Sequence, residues 1–191
     1  MAKVGLKNLC YAKIVTDDNT GVVYSDPVQI AGLITVDIKT ASDTATLFAD
    51  DGPYEVASSL GEISVDVDVA DLGLEAYATL LGHTVDKGVL ECSSSDSAPE
   101  IAIGFESLKS NGKKRFVWLY KGSFSEPDDS YKTKEDKVDF QTQKISGKFV
   151  IRKYDGKWKK VADEDATDYV AATGTNWYKK ETISVTAPVT P

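Results

Sequence analysis

The sequence predicts a mainly β protein, a sandwich or barrel of antiparallel strands flanked by one α-helix. Three observations carry that expectation. In Gly61 to Val69, Ile63, Val65, Val67 and Val69 fall on one face, with Glu62, Ser64, Asp66 and Asp68 on the other. That period of two, filled with β-branched residues, suits a half-buried antiparallel strand. Shorter alternations recur along the chain, and only one segment carries a clear helical stripe.

Taken in order, Ile34, Val36 and Ile38 alternate, as do Ile101, Ile103 and Phe105. The helix is placed by Leu74, Tyr77, Ala78 and Leu81 at i, i+3, i+4 and i+7, with Asp71 as its N-terminal cap. Gly82 would close it in the left-handed conformation. In Phe116-Val117-Trp118-Leu119-Tyr120 both faces are apolar, so both need burying, the second by the helix or by a neighbouring subunit. A further strand reads Ile145, Gly147, Phe149, Ile151, with Ser146, Lys148 and Arg152 opposite. The Asp155-Gly156 pair favours a type I′ hairpin turn, which puts Trp158 and Val161 on the returning strand. Asp163 to Ala172, acidic in its first turn, is a weaker helical candidate.

The chain reads as a single domain over 1–186, with a less distinct C-terminal part from about 154 and a tail at 187–191. Two segments do not look like core. The stretch 43–59 holds the apolar and aromatic loop Leu47-Phe48-Ala49-Asp50-Asp51-Gly52-Pro53-Tyr54, and 123–139 is long and charged. Long segments of this kind in a compact domain carry function or stay disordered.

Composition narrows the function. The net charge is −8, which disfavours a protein that grips nucleic-acid phosphates with clustered Lys and Arg. An acidic wall past which DNA slides is compatible with it. No apolar run approaches the length that spans a bilayer, so no membrane partner is expected. The N-terminus lacks the apolar block of a secretory signal, so synthesis in the cytoplasm is expected. Cys10 and Cys92 lie far apart, suggest neither a disulfide framework nor a zinc site, and read as small apolar fillers.

A search for catalytic chemistry finds little. His83 is the only histidine, so any Ser-His-Asp or Cys-His arrangement has to use it. Its place just after Gly82 suits a simple role at a helix C-terminus better. The acid pairs Asp50/Asp51, Asp66/Asp68 and Asp128/Asp129 lack the spacing of a calcium loop. No glycine-rich phosphate loop is present. The reading is therefore not an enzyme, with no cofactor and no metal. Trp158 and Trp177 leave open a sugar-stacking platform, and with it a carbohydrate-binding or host-adhesion module as the alternative class.

The opening Val4-Gly5-Leu6-Lys7-Asn8-Leu9-Cys10-Tyr11-Ala12 resembles that of the major tail proteins (tail-tube subunits) of long non-contractile-tailed bacteriophages. So do Phe48-Ala49-Asp50-Asp51-Gly52, Leu72-Gly73 followed by Leu80-Leu81-Gly82, and Phe116 to Phe124 followed by Phe140-Gln141-Thr142 and Ile145-Ser146-Gly147-Lys148-Phe149. These blocks span roughly residues 4 to 150 in consistent order. The resemblance implies a phage tail-tube-like fold, a β-sandwich with a flanking helix, whose copies form stacked and typically hexameric rings. Its implied partners are itself, a tape-measure protein, other tail proteins, and DNA in transient non-specific passage. The implied location is the virion tail. On that reading Leu47, Phe48, Asp50, Asp51 and Tyr54 form one subunit or ring interface, and Phe124, Pro127 and Tyr131 another. Glu62, Asp66 and Asp68 become lumen-facing acids if their strand face points inward, giving a negative wall.

Overall fold

The structure is a computed structural model that describes residues 1–133 and 141–186. Strands make up 55% of it and helices 9%, so the protein is mainly β, as the alternation predicts. The elements run β1 (Lys3–Asp18), β2 (Gly21–Tyr24), β3 (Val28–Ile30), β4 (Leu33–Ala49), β5 (Gly52–Val69), α1 (Leu74–Leu81), β6 (Thr84–Asp86) and β7 (Val89–Glu91). They continue with β8 (Ile101–Lys109), β9 (Lys114–Phe124), β10 (Gln143–Phe149), β11 (Lys159–Asp163), α2 (Ala171–Thr175), α3 (Lys180–Ile183) and β12 (Val185–Thr186).

Ten strands join one antiparallel sheet in the order β12-β2-β1-β8-β9-β10-β5-β4, with β3 beside β1 and β11 beside β9; β6 and β7 form a separate hairpin. One core lies inside the curled sheet, where Ile63, Val65, Val67 and Val69 of β5 meet Ile101, Ile103, Val117, Leu119, Ile145 and Phe149. The β5 alternation is thus realised, with its apolar face buried and its acids outward. Among the described residues no helix is long and apolar enough to cross a membrane.

Helix α1 closes one end of this core with Tyr77, Ala78, Leu80 and Leu81. Gly82 ends it at φ 82°, its N–H donating to the Ala78 carbonyl at 2.8 Å, as predicted. The start differs. Gly73, not Asp71, is the N-cap, no side chain caps the first turn, and Leu74 is exposed rather than part of the buried stripe.

A second core lies on the opposite face of β1, β8 and β9. Cys10, Val22, Tyr24, Phe116, Trp118 and Tyr120 pack there against Trp177 and Ile183. The doubly apolar β9 is therefore covered by the chain's own C-terminal segment, which supplies the burial expected from the helix or a neighbouring subunit. The Trp118 indole N–H donates to the Trp177 carbonyl at 2.9 Å, and this bond helps hold the cover in place. The part after 154 is thus integral to the domain.

Two elements near the C-terminus depart from expectation. The Asp155-Gly156 turn forms, with the Arg152 N–H donating to the Lys157 carbonyl at 2.9 Å, but it does not join two paired strands. β10 pairs with β9 at Gly122 to Phe124, and β11 continues along the same edge of β9 from Leu119 to Arg115. The turn is a detour between them. It reverses the strand pattern locally, so Ile151 is exposed and Arg152 buried. Asp163 ends β11, and helix begins only at Ala171, so the helix expected over 163–172 is absent. Asp163 instead pairs with Lys109 and Arg115.

Candidate assembly interface

The stretch expected as a loop over 43–59 is a β-hairpin. β4 and β5 stay paired out to Ala49 and Gly52. Asp50 and Asp51 form the turn at φ 50° and 62°, and positive φ at both central residues is what a type I′ turn requires. Between Leu47–Glu55 and Phe48–Pro53 the register slips by one, and Tyr54 is the extra residue of that bulge. The signal was present in the sequence: Asp-Asp-Gly lies between Thr44-Ala45-Thr46-Leu47-Phe48 and Tyr54-Glu55-Val56, both rich in strand formers.

Residues 40–60 of this hairpin are exposed, apart from the half-buried Gly52 at the turn. At about 3.3 Å per residue, the two strands run roughly 30 Å beyond the sandwich as a bare ribbon. Leu47, Phe48, Tyr54, Val56 and Leu60 are 57%, 69%, 72%, 62% and 47% exposed, so the ribbon carries apolar and aromatic side chains with no cover among the described residues.

At the base of the ribbon, β4 is hydrogen-bonded only to β5, and β11 only to β9. Both present unpaired edges among the described residues. Between β4 and the surface of β1, β8, β9 and β11 lies an open cleft of about 620 Å³. Its floor includes Leu6, Val36, Ile38, Phe105, Val117 and Val161, and Lys3, Arg115 and Lys159 stand around it. Burial, and then repulsion from Lys3 and Arg115, lowers the Lys159 pKa from its ordinary value. Arg115 is held by Asp163, with Nε donating at 2.9 Å.

The outward face of β5 differs from the expected negative wall. Asp66 lies between β4 and β10. It accepts from Ser146 Oγ at 2.6 Å and Lys39 Nζ at 3.0 Å, and Lys144 stands at 3.6 Å. The Ser146 bond and then Lys39 pull its carboxyl down to about 2. Glu62 pairs with Lys148 at 3.0 Å. Asp68 lies on the same face with Oδ1 unpartnered among the described residues, so the surface mixes acids with the lysines of the flanking strands, which share their pleat direction.

The second expected interface changes more. Phe124 closes β9 inside the first core, edge-on to Phe149 at 5.9 Å, and is only 4% exposed. It is not a surface contact. Pro127 is half-buried in the segment that follows, and Tyr131 is 88% exposed. The expected charged segment thus begins at about 125, and its residues 134–139 lie outside the described residues, as do Phe140 of the family-like block and the tail 187–191.

Other candidates are relocated too. Trp177 is fully buried, so it forms no exposed pair with Trp158, which packs against the first core. Cys10 is a buried filler as expected, whereas Cys92 is exposed. His83 follows Gly82 as predicted but sits between Asp96 and Glu126. Sequence reasoning missed that contact, because the three residues meet only through the folding of distant loops. The chain matches no protein-family model, and comparison with curated proteins finds no significant match.

Proposed function

We propose that this chain is a structural, non-enzymatic subunit that self-assembles into stacked rings, the tail-tube protein of a long non-contractile bacteriophage tail. The observation that carries the reading is the bare β4–β5 ribbon. A two-stranded hairpin with neither face covered is marginal in water. A ribbon roughly 30 Å long that leaves Phe48 and Tyr54 in solvent therefore calls for a surface supplied by other molecules. The unpaired edges of β4 and β11 favour the same view, since an open edge is a liability unless another strand pairs with it. In a homo-oligomeric ring each copy supplies what its neighbour lacks, and stacking repeats the contact.

On this reading the ribbon, with Leu47, Phe48 and Tyr54, docks on an adjacent copy, and the cleft beside β4 receives part of a neighbour. The segment from Glu126 through Tyr131 is available for contacts between rings. The β4–β5–β10 face lines the channel, where paired acids and lysines leave no cluster of free cations to hold DNA. The tape-measure protein and other tail proteins are the further partners, and the site of action is the virion tail, after synthesis in the host cytoplasm. The ordered block resemblance over residues 4 to 150 supports the phage assignment.

Negative-stain electron microscopy of the purified full chain over a concentration series tests the proposal. Rings or tubes that grow with concentration support it. Monomers at every concentration, with or without other tail proteins, overturn it.

A further inference from the structure

The strongest unassigned cluster lies away from the ribbon, where three separate segments meet. His83 follows α1, Cys92 follows β7, and Glu126 follows β9. A ring nitrogen of His83, Sγ of Cys92 and a carboxylate oxygen of Glu126 lie within 4.8 Å of one another. We propose that these three side chains bind one thiophilic divalent transition-metal ion, zinc foremost, which clasps the end of α1, the loop after β7 and the segment leaving β9.

Two of the three ligands, His83 and Glu126, are held by a second partner. His83 Nδ1 meets Asp96 Oδ2 at 2.8 Å, and that carboxylate also accepts the Ser93 N–H at 2.8 Å. Asp96 thereby fixes a proton on Nδ1, as carboxylate partners of metal-binding histidines do, and leaves Nε2 as the nitrogen for the ion once the proton it shares with Glu126 is released. Nε2 points at Glu126 Oε2, 3.0 Å away. The Tyr77 hydroxyl donates to Glu126 Oε1 at 2.6 Å, so Oε2 is left to face the histidine. Tyr77 also stacks on the imidazole, with ring centroids 5.8 Å apart and planes 22° from parallel. The imidazole plane and one carboxylate oxygen are thus set before any ion arrives.

The donor set chooses the ion. Nitrogen, thiolate and carboxylate suit zinc or cobalt, whereas calcium and magnesium demand oxygen throughout. Bond lengths of about 2.0 Å to nitrogen and 2.3 Å to sulfur place tetrahedral ligands roughly 3.5 Å apart, so the three donors need only small adjustments. Cys92 is exposed, which gives the ion a route in and leaves a fourth position for water. Binding replaces the His83–Glu126 contact with two metal bonds, and both the proton held between Nε2 and Oε2 and the Cys92 thiol proton leave to solvent as the ion takes their place.

The test is titration of the full chain with cobalt(II). One equivalent should bind and produce a thiolate-to-cobalt charge-transfer absorption, which zinc then abolishes by displacement. Cys92→Ser should remove that absorption and Cys10→Ala should keep it. Asp96→Asn should weaken affinity roughly ten- to a hundred-fold while keeping the absorption. Far-ultraviolet circular dichroism verifies that each variant is folded. No charge-transfer absorption at one equivalent, or one that persists in folded Cys92→Ser, overturns the proposal. Neither outcome depends on whether the protein forms tubes.

Discussion

The guanidinium carbon of Arg152 lies 3.7 Å from the centroid of the Tyr120 ring, in a side chain only 1% exposed. Its Nε donates to Asp155 at 3.0 Å and its Nη1 to the Ile183 carbonyl at 2.7 Å. One buried cation thus ties the 152–157 turn, β9 and the C-terminal cover together. Removing it leaves Asp155 with Lys157 alone among the described residues and takes the guanidinium donor from the buried Ile183 carbonyl. Arg152→Ala is expected to cost about 3–5 kcal/mol in denaturant unfolding, the range for breaking a buried pair from one side. Arg152→Lys should cost less, since it keeps the charge and loses the planar fork. An unchanged midpoint for Arg152→Ala would refute the tie.

The cover itself can be weakened. Trp177 is fully buried against Phe116, with ring centroids 5.6 Å apart. Trp177→Ala should destabilise the chain by about 3–5 kcal/mol, the usual cost of emptying a large aromatic site. It should also raise binding of a hydrophobic dye, because the β9 face loses its lid. Wild-type dye binding would argue that another element covers that face.

Close packing at β8 gives a sharper test. A Cβ placed on Gly104 would stand 2.7 Å from the Trp118 ring, which is itself fully buried. Gly104→Ala is therefore expected to cost about 1–3 kcal/mol by overpacking, despite adding a single methyl. Gly88→Ala is not a fair control, because Gly88 has φ 80°. Gly73→Ala is better, since nothing lies within 4 Å of its added Cβ. Equal losses at Gly104 and Gly73 would contradict the packing account.

The ribbon should separate stability from assembly. Phe48 and Tyr54 touch no core, so the double change to Ser should shift the unfolding free energy of the isolated chain by less than about 0.5 kcal/mol per site. On the proposed function the same variant fails to form tubes under the microscope. Tubes of normal length would remove the ribbon from the interface.

Acid stability should depend on Asp17. Its side chain and that of Lys121 are 3% and 6% exposed and pair at 2.8 Å. Burial raises the Asp17 pKa, but the Lys121 bond and the N–H groups of Lys153 and Tyr154 outweigh it and hold the carboxyl below its ordinary value. A carboxyl depressed in the folded state binds its proton more readily when unfolded. Its stabilisation is therefore present above the unfolded value of about 3.9 and fades as pH falls through the folded one. Asp17→Asn should flatten the fall in melting temperature on acidification. An identical acid limb in both proteins would count against this assignment.

The residues themselves determined the β class, the β5 alternation, helix α1 with its Gly82 stop, and the double burial of β9. Each of these rests on local periodicity or on one residue's backbone preference. Tertiary structure alone decided that Trp177 and Ile183 supply the second cover of β9, and that β11 extends the β10 edge instead of forming a hairpin with it. It also turned Phe124 inward, paired Glu62 and Asp66 of β5 with lysines from β4 and β10, and brought His83, Cys92 and Glu126 together. The physical reason is range. Alternation and turn chemistry act over a few residues, whereas which strand lies beside which, and which distant side chains then meet, depends on how the whole sheet curls to bury its area.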